Sequence, residues 1–239
     1  MFLMSLIAVS SLVSCNSSSN DYWNASCFVN VQSTSPLTFT SEDGIQFVVA
    51  DNRVPSYSPS YGDRAIIYFR IMEDANNTST TRYSVVLYGV DPVSTGSVAV
   101  NAQVDDLAED PVLIYSYANS VYMSTTKRYL NLAVYFHISA ESKLSQHTFT
   151  LASIDDDDYL PADRPAADEY LYVELRHDAG DDAIAEGVTS QPNAAIWYSF
   201  PLDDFDLAGL FNGTKGLMIG MKGFDGKMVY QKIDWPKAN

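Results

Sequence analysis

The run Tyr172-Val173-Glu174-Leu175-Arg176-His177-Asp178-Ala179-Gly180-Asp181-Asp182 gathers a guanidinium, an imidazole and several carboxylates into one short stretch. His177 with Asp178, Asp181 and Asp182 could supply imidazole and carboxylate ligands to a metal, or a general base oriented by an acid. Against that stands the blander possibility that Arg176-His177-Asp178 is a hydrogen-bonded corner at a strand end, fixing the Gly180 turn that follows. No second clustered ligand pair and no nucleophile motif accompanies the run, so the corner reading is favoured. A second acidic cluster, Asp155 to Asp158 with Asp163, Asp168 and Glu169, could hold calcium through oxygen ligands. It lacks the fixed spacing and the bidentate Glu of a calcium loop, so residues 155–169 read as a solvated acidic loop, open to a cationic partner. Aromatic rings are the third candidate. Trp23, Tyr57, Tyr61, Tyr115, Tyr117, Tyr122 and Tyr159 lie in or beside predicted loops, where they could stack on sugar faces or anchor a protein interface. Most such tyrosines cap strand ends or line half-buried faces instead. The sequence contains no phosphate-cradling glycine loop, zinc-ligand spacing or nucleophile elbow. No catalytic, metal or cofactor site is assigned, no cofactor is expected, and the chain reads as non-enzymatic.

The strands that must position these residues alternate along nearly the whole chain. Cys27, Val29 and Val31 share one face of a strand at Ser26–Gln32. Leu37–Thr40 and Ile45–Ala50 flank Ser41-Glu42-Asp43-Gly44, whose Asp-Gly pair is a hairpin signal. After a loop rich in Pro, Ser and Tyr at 55–62 come Arg64–Met72 and Tyr83–Val90, apolar on both faces as in a small closed barrel. A further strand around Ser97–Val100 makes five from Leu37 onward, and five short strands in some eighty residues suit a compact barrel of the OB type. The acidic Gln103–Asp110 stretch, ending at Pro111, is read as the domain boundary.

Beyond it the alternation is longer. Leu130, Leu132, Val134, Phe136 and Ile138 fall on one face, and Asn131, Ala133, Tyr135, His137 and Ser139 on the other, as in a half-buried sandwich strand. Gln146–Leu151, Tyr170–Leu175, Ala194–Phe200, Lys215–Met221 and Met228–Ile233 continue the series, the last two joined through Phe224-Asp225-Gly226. Only Leu202–Phe211 looks able to form a helical turn, with Gly213 ending it. The expected fold is all-β: an OB-like barrel over 26–108, then an antiparallel β-sandwich over 109–239.

The apolar opening Met1–Val13 and the sequence Leu12-Val13-Ser14-Cys15 resemble the lipobox of bacterial lipoproteins. The run is too short to span a bilayer and long enough for a signal-peptide core. Residues 1–14 are therefore expected to be cleaved, Cys15 to be acylated and so anchored in the lipid bilayer, and 15–25 to form a flexible polar tether that lifts the globular part off it. No Lys or Arg precedes Leu3, so the n-region of the pattern is missing, as it would be if the gene start had been set a few codons late. With Cys15 acylated, Cys27 is left as a small buried hydrophobe; a Cys15–Cys27 disulfide is the fallback.

The formal net charge is −16, and residues 1–14 carry none of it. Such a field repels nucleic acid and anionic lipid surfaces and favours neutral or cationic partners.

Several of these residues carry a resemblance. The Tyr172–Asp182 run, followed by Ile196-Trp197-Tyr198-Ser199-Phe200-Pro201-Leu202, is similar to the C-terminal signature of the NigD-like lipoproteins of the Bacteroidetes. Asp110-Pro111-Val112, Tyr129-Leu130-Asn131-Leu132 and His147 fit that family, and Gly62-Asp63-Arg64-Ala65 is similar to its N-terminal domain. The resemblance implies a lipid anchor, an OB-like N-terminal domain and an immunoglobulin-like sandwich, and it implies no activity. Expected from all this is a non-enzymatic lipoprotein of the cell envelope, placed at the outer membrane with the leaflet left open. Its partner would be an envelope protein or cationic peptide, in a bacteriocin-related immunity or accessory role. The alternatives are a glycan-binding accessory of an outer-membrane uptake system and, further off, a metal-dependent enzyme around His177.

Overall fold

Strand alternation in the first part of the chain buries one apolar set, Val29, Val31, Phe39, Phe47, Ala65, Ile67, Phe69, Val85 and Leu87. Five strands wrap around it: β1 (Ala25–Thr34), β2 (Leu37–Ser41), β3 (Gln46–Asn52), β4 (Arg64–Ile71) and β5 (Arg82–Pro92). The computed structural model describes residues 25–72, 81–115, 120–154, 169–182 and 191–237. The strands close into a barrel in the order β1-β2-β3-β5-β4, with β1 pairing back onto β4. Every pairing is antiparallel except β3 with β5. A closed five-stranded barrel is the arrangement expected of an OB-type unit. Register shifts at Val31/Ser33, Val49/Asp51 and Tyr68/Phe69 add local bend and twist, which short strands need in order to curl shut. The predicted hairpin turn forms at Gly44, where φ is +82°. The Gly44 N–H donates to the Ser41 carbonyl at 3.0 Å, and the Ser41 hydroxyl accepts from Ile45 N at 3.0 Å. In the same turn Glu42 points inward and forms a buried ion pair with Arg64 at the start of β4.

The second unit is a sandwich. One sheet runs β14 (Met228–Asp234), β13 (Gly216–Lys222), β11 (Tyr170–Asp178), β10 (Thr148–Ile154), β7 (Ser97–Ala102). The other runs β6 (Ser94–Thr95), β12 (Ala194–Pro201), β9 (Tyr129–Phe136), β8 (Val121–Met123). Leu130, Leu132, Val134, Phe136, Phe149, Leu151, Val173, Leu175, Phe200, Leu217 and Ile219 are buried between them. The face of β9 carrying Leu130, Leu132, Val134 and Phe136 is the expected one. Asn131 and Ala133 on the opposite face are buried as well, so the strand is covered on both sides over that stretch.

Three details depart from the sequence reading. The strand at Ser97–Val100 exists, but it pairs in parallel with β10 and its Val98 and Val100 pack on the sandwich core. The barrel closes without it, and the two units divide between Val93 and Ser94, ahead of the expected boundary at 108/109. The acidic stretch before Pro111 lies inside the second unit, pinned by Asp110 N to the His177 carbonyl and Val112 N to the Lys222 carbonyl, each at 2.9 Å. The sandwich is also not purely antiparallel. β7–β10, β11–β13 and β6–β12 pair in parallel, because the chain crosses to the opposite sheet between the two members of each pair. Last, the helical turn α1 covers only Asp203–Leu207 and is ended by Gly209 (φ +73°) rather than by Gly213. Gly209 N donates to Asp206 O at 2.9 Å and Leu210 N to Phe205 O at 3.0 Å, the paired bonds of a Schellman stop.

The lipobox with Cys15, most of the 15–25 tether, and positions 155–168 of the acidic loop lie outside the described residues, as do Trp23, Tyr117 and Tyr159. Cys27 is half-buried on β1 and packs against the barrel core on the face it shares with Val29 and Val31.

Candidate functional site

Side chains alternate along β11, so the contiguous Arg176-His177-Asp178 run is split between two faces. His177 points into the sandwich with Val173 and Leu175, while Arg176 turns to the opposite face with Tyr172 and Glu174. There the Tyr172 hydroxyl donates to Glu174 Oε1 at 2.6 Å, and Arg176 forms a buried ion pair with Glu174. Arg176 Nη1 also reaches Glu109 Oε1 at 3.4 Å, and Lys222 Nζ lies 3.7 Å from Glu109 Oε2. At the strand end, Asp178 Oδ1 accepts from Gly180 N at 2.8 Å, and Gly180 adopts φ +59°. Asp110 Oδ2 accepts from Ala179 N at 2.9 Å. Asp181 is exposed and pairs with Lys143 at 2.8 Å.

Facing the core, His177 meets a residue that no sequence motif joined to it. His147 Nδ1 lies 2.8 Å from His177 Nε2, and His147 Nε2 lies 3.1 Å from Asp182 Oδ2. His177 Nδ1 contacts the Pro111 carbonyl at 3.0 Å. Asp182 also accepts from Ser139, through the hydroxyl at Oδ1 and through the backbone N–H at Oδ2 (3.0 Å). The result is a continuous polar chain from the Pro111 carbonyl through His177 and His147 to Asp182 and Ser139. Both histidines are 2% exposed. Aromatic rings enclose it: Phe149 stacks on His177 at 4.5 Å and 5°, and Phe136 lies 4.8 Å from His147 and 5.4 Å from His177. The Tyr198 hydroxyl donates to the His147 carbonyl at 3.3 Å.

The pairing register explains the meeting. Phe149 is the cross-strand partner of His177 in the antiparallel β10–β11 pair, and His147 lies two residues before Phe149 on the same face. His147 and His177 are two of only three histidines in the chain, a scarcity that with the register in hand would have pointed to the pair.

Burial is the main influence on His177 and pushes its imidazole down to about 4. The Pro111 hydrogen bond and the Asp110 and Asp178 charges oppose that, and His147 adds to it. Asp182 is held down to about 2, chiefly by the Ser139 hydroxyl, with burial opposing and the Ser139 N–H and His147 helping. Both values lie below those of the unfolded chain, so both groups stabilise the fold above their unfolded values and lose that contribution as pH falls. For His177 the window runs from 6.5 down to about 4 and is worth about 3 kcal/mol when fully crossed. For Asp182 the window follows, from 3.8 down to about 2. The urea midpoint of the sandwich should therefore fall between pH 6.5 and 4, before ordinary carboxylates titrate fully. A midpoint flat across that window would contradict a buried neutral His177.

Chemically this is a closed arrangement. Each nitrogen of the two rings faces a hydrogen-bond partner within the protein, and the Ser139 hydroxyl is bonded to Asp182 rather than to a histidine. Among the described residues no group of three or more His, Cys, Asp or Glu side chains is arranged to hold a metal ion. The aromatic candidates are dispersed. Tyr57 packs on Phe39 at 6.5 Å and Tyr115 packs edge-on to Tyr135 at 4.6 Å. Tyr122 is half-buried on β8, whereas Tyr61 is 74% exposed. Glu169, the described end of the acidic loop, pairs with Lys215 at 2.6 Å.

Several solved structures share this fold. A protein of unknown function from Bacteroides vulgatus is 18% identical, with a TM-score of 0.62 over 90% of this chain and 92% of that one. A candidate lipoprotein from Bacteroides fragilis is 15% identical, with a TM-score of 0.62 over 92% and 100%. A NigD-like immunity protein from Bacteroides caccae is 19% identical, with a TM-score of 0.55 over 86% and 90%. At such identities the likeness establishes the fold alone. No curated protein matches the chain. The family model of the NigD-like C-terminal beta sandwich domain matches residues 97–235, which begins at β7 and so agrees with the assignment of that strand to the sandwich. With more than half of its length matched, this chain belongs to the NigD-like family.

Proposed function

We propose that this protein is a non-enzymatic, lipid-anchored binding protein of the cell envelope whose acidic surface meets a cationic protein or peptide. The observation that carries the reading is a separation of charge. The histidine cluster is sealed in the sandwich, whereas carboxylates such as Asp105, Asp106, Asp203, Asp204 and Asp206 stand on the surface of a chain with net charge −16. A field of that sign accelerates encounter with a basic partner and weakens as salt screens it. An immunity role is the form supported by the name of the Bacteroides caccae structure, with a bacteriocin as the proposed cationic partner, and the anchor is supported by the Leu12–Cys15 sequence and by the candidate lipoprotein from Bacteroides fragilis. The outer membrane is the proposed site of that anchor. The same reading assigns 1–14 to a cleaved leader, 15–25 to a tether, and the acidic stretch 155–169 to the cation-facing surface.

Crosslinked pull-down of the tagged full-length protein from native envelopes, with mass spectrometry, tests this. The expected result is a basic partner that is retained at low salt and released at about 1 M salt, where the Debye length is about 3 Å. The Cys15→Ala variant should move to the soluble fraction and lose the partner. Recovery of no protein at low salt would overturn the reading. A glycan role is the second reading and rests on Tyr61 and Tyr88, both exposed on the barrel. A glycan array with Tyr61→Ala and Tyr88→Ala variants separates the two.

A further inference from the structure

We propose that the His147–His177–Asp182 chain holds one proton more than two neutral imidazoles and a carboxylate supply, making it a buried imidazolium–carboxylate latch at one end of the sandwich. Three contacts lie in series: Pro111 O with His177 Nδ1 at 3.0 Å, His177 Nε2 with His147 Nδ1 at 2.8 Å, and His147 Nε2 with Asp182 Oδ2 at 3.1 Å. Each needs one proton between its two heavy atoms. The Pro111 carbonyl can only accept, so His177 Nδ1 carries a proton and donates. The last contact sets a ring nitrogen against a carboxyl oxygen that already accepts from the Ser139 N–H. Two neutral imidazoles bring two protons, and three contacts require three.

The third proton resides on His147. Asp182 accepts two further hydrogen bonds from Ser139, which favour the carboxylate and leave the ring as the donor. His177 stays neutral, donating to Pro111 and accepting from His147. His147 donates at both nitrogens, and its positive charge sits against Asp182. Removing that proton would leave two lone pairs facing each other at one of the three contacts, in a site closed by Phe136 and Phe149.

The latch ties together pieces distant in sequence: the segment at Pro111, the loop after β9 at Ser139, the residue before β10 at His147, and the turn Gly180–Asp182. The other charged and titratable groups around it are Asp110 and Asp178, whose charges act on His177, the Lys143–Asp181 pair beside the turn, and Tyr198, bonded to the His147 carbonyl. Asp110 and Asp178 favour retention of a positive charge in the pair.

Ring-nitrogen NMR of the full chain labelled with 15N-histidine reads the count directly, with a His137→Gln variant for assignment. At pH 7 the expected spectrum has one ring with both nitrogens in the imidazolium range, one neutral ring, and three N–H protons on the pair. Two neutral rings sharing two N–H protons would overturn the proposal. In Asp182→Asn the carboxamide NH2 can donate to His147 Nε2, at the loss of the Ser139 N–H bond to the same position, so the three contacts in series are satisfied with both rings neutral. That variant should show two ring N–H protons on two neutral rings. A retained third ring proton would equally overturn the latch, and should the variant not fold, the wild-type spectrum decides alone.

Discussion

Phe149→Ala should destabilise the sandwich by about 3–5 kcal/mol, the range for removing a fully buried aromatic ring. Phe149 is 1% exposed and is shared by three neighbours. Its ring stacks on His177 at 4.5 Å, meets Phe136 edge-on at 5.2 Å and lies 4.7 Å from Tyr198. Two facing sheets hold these rings, so little collapse into the cavity is open to them, which places the cost in the upper part of the range. Urea denaturation followed by tryptophan fluorescence is a suitable readout, since Trp197 and Trp235 both belong to the second unit. Phe149→Leu, which refills most of the space, should cost much less. A second consequence follows from the chemistry of the pocket. Water admitted beside His177 would relieve the burial that holds its imidazole down, so its titration in Phe149→Ala should move back up toward the ordinary value. A loss below about 1 kcal/mol would mean that the ring is not packed as described.

Arg64→Met should be of similar size for a different reason. Arg64 and Glu42 form an ion pair with side chains 3% and 1% exposed, and Arg64 Nη1 also donates to Asn30 Oδ1 at 3.1 Å. Removing one member of such a pair leaves a charge in a site shaped for two, at a cost of about 3–5 kcal/mol. The pair itself is worth far less against apolar replacement, because both groups were desolvated to make it. Arg64→Met/Glu42→Met should therefore recover most of the loss of either single change. Far-UV circular dichroism through urea denaturation, run as a double-mutant cycle, separates the cases. Additive losses in the double variant would show that the two side chains do not act as a unit.

Much of the fold is legible in local patterns. Asp43-Gly44 marks its hairpin, and the alternation in Tyr129–Phe136 and Tyr170–Asp178 marks strands that form close to where they are expected. These features depend on a few neighbouring residues: a glycine that tolerates positive φ, or a period of two that turns apolar groups to one side. Ser97–Ala102 shows where such reading stops. Its composition identifies a strand, yet whether it joins the barrel or the sandwich depends on β10, some fifty residues further on. Gln103–Asp110 has the polar composition of a linker, but its last residue is held by the end of β11, and Val112 just beyond it by the end of β13. Glu42 looks like an exposed turn residue because nothing near it in the chain announces Arg64.

The candidate site divides in the same way. From the sequence alone come the all-β class, the barrel followed by a sandwich, the net charge of −16, the family resemblance and the corner at Asp178 and Gly180, each resting on composition or on contacts within a few residues. Only the tertiary structure decided that Arg176 and His177 face opposite ways in different networks, that His147 is the partner of His177, and that Asp182 closes the chain with Ser139. Alternation sets the side on which a residue emerges. What it meets there is set by pairing register and sheet packing, which bring Pro111, Ser139, His147 and His177 together across the fold and so determine how many protons the site must hold.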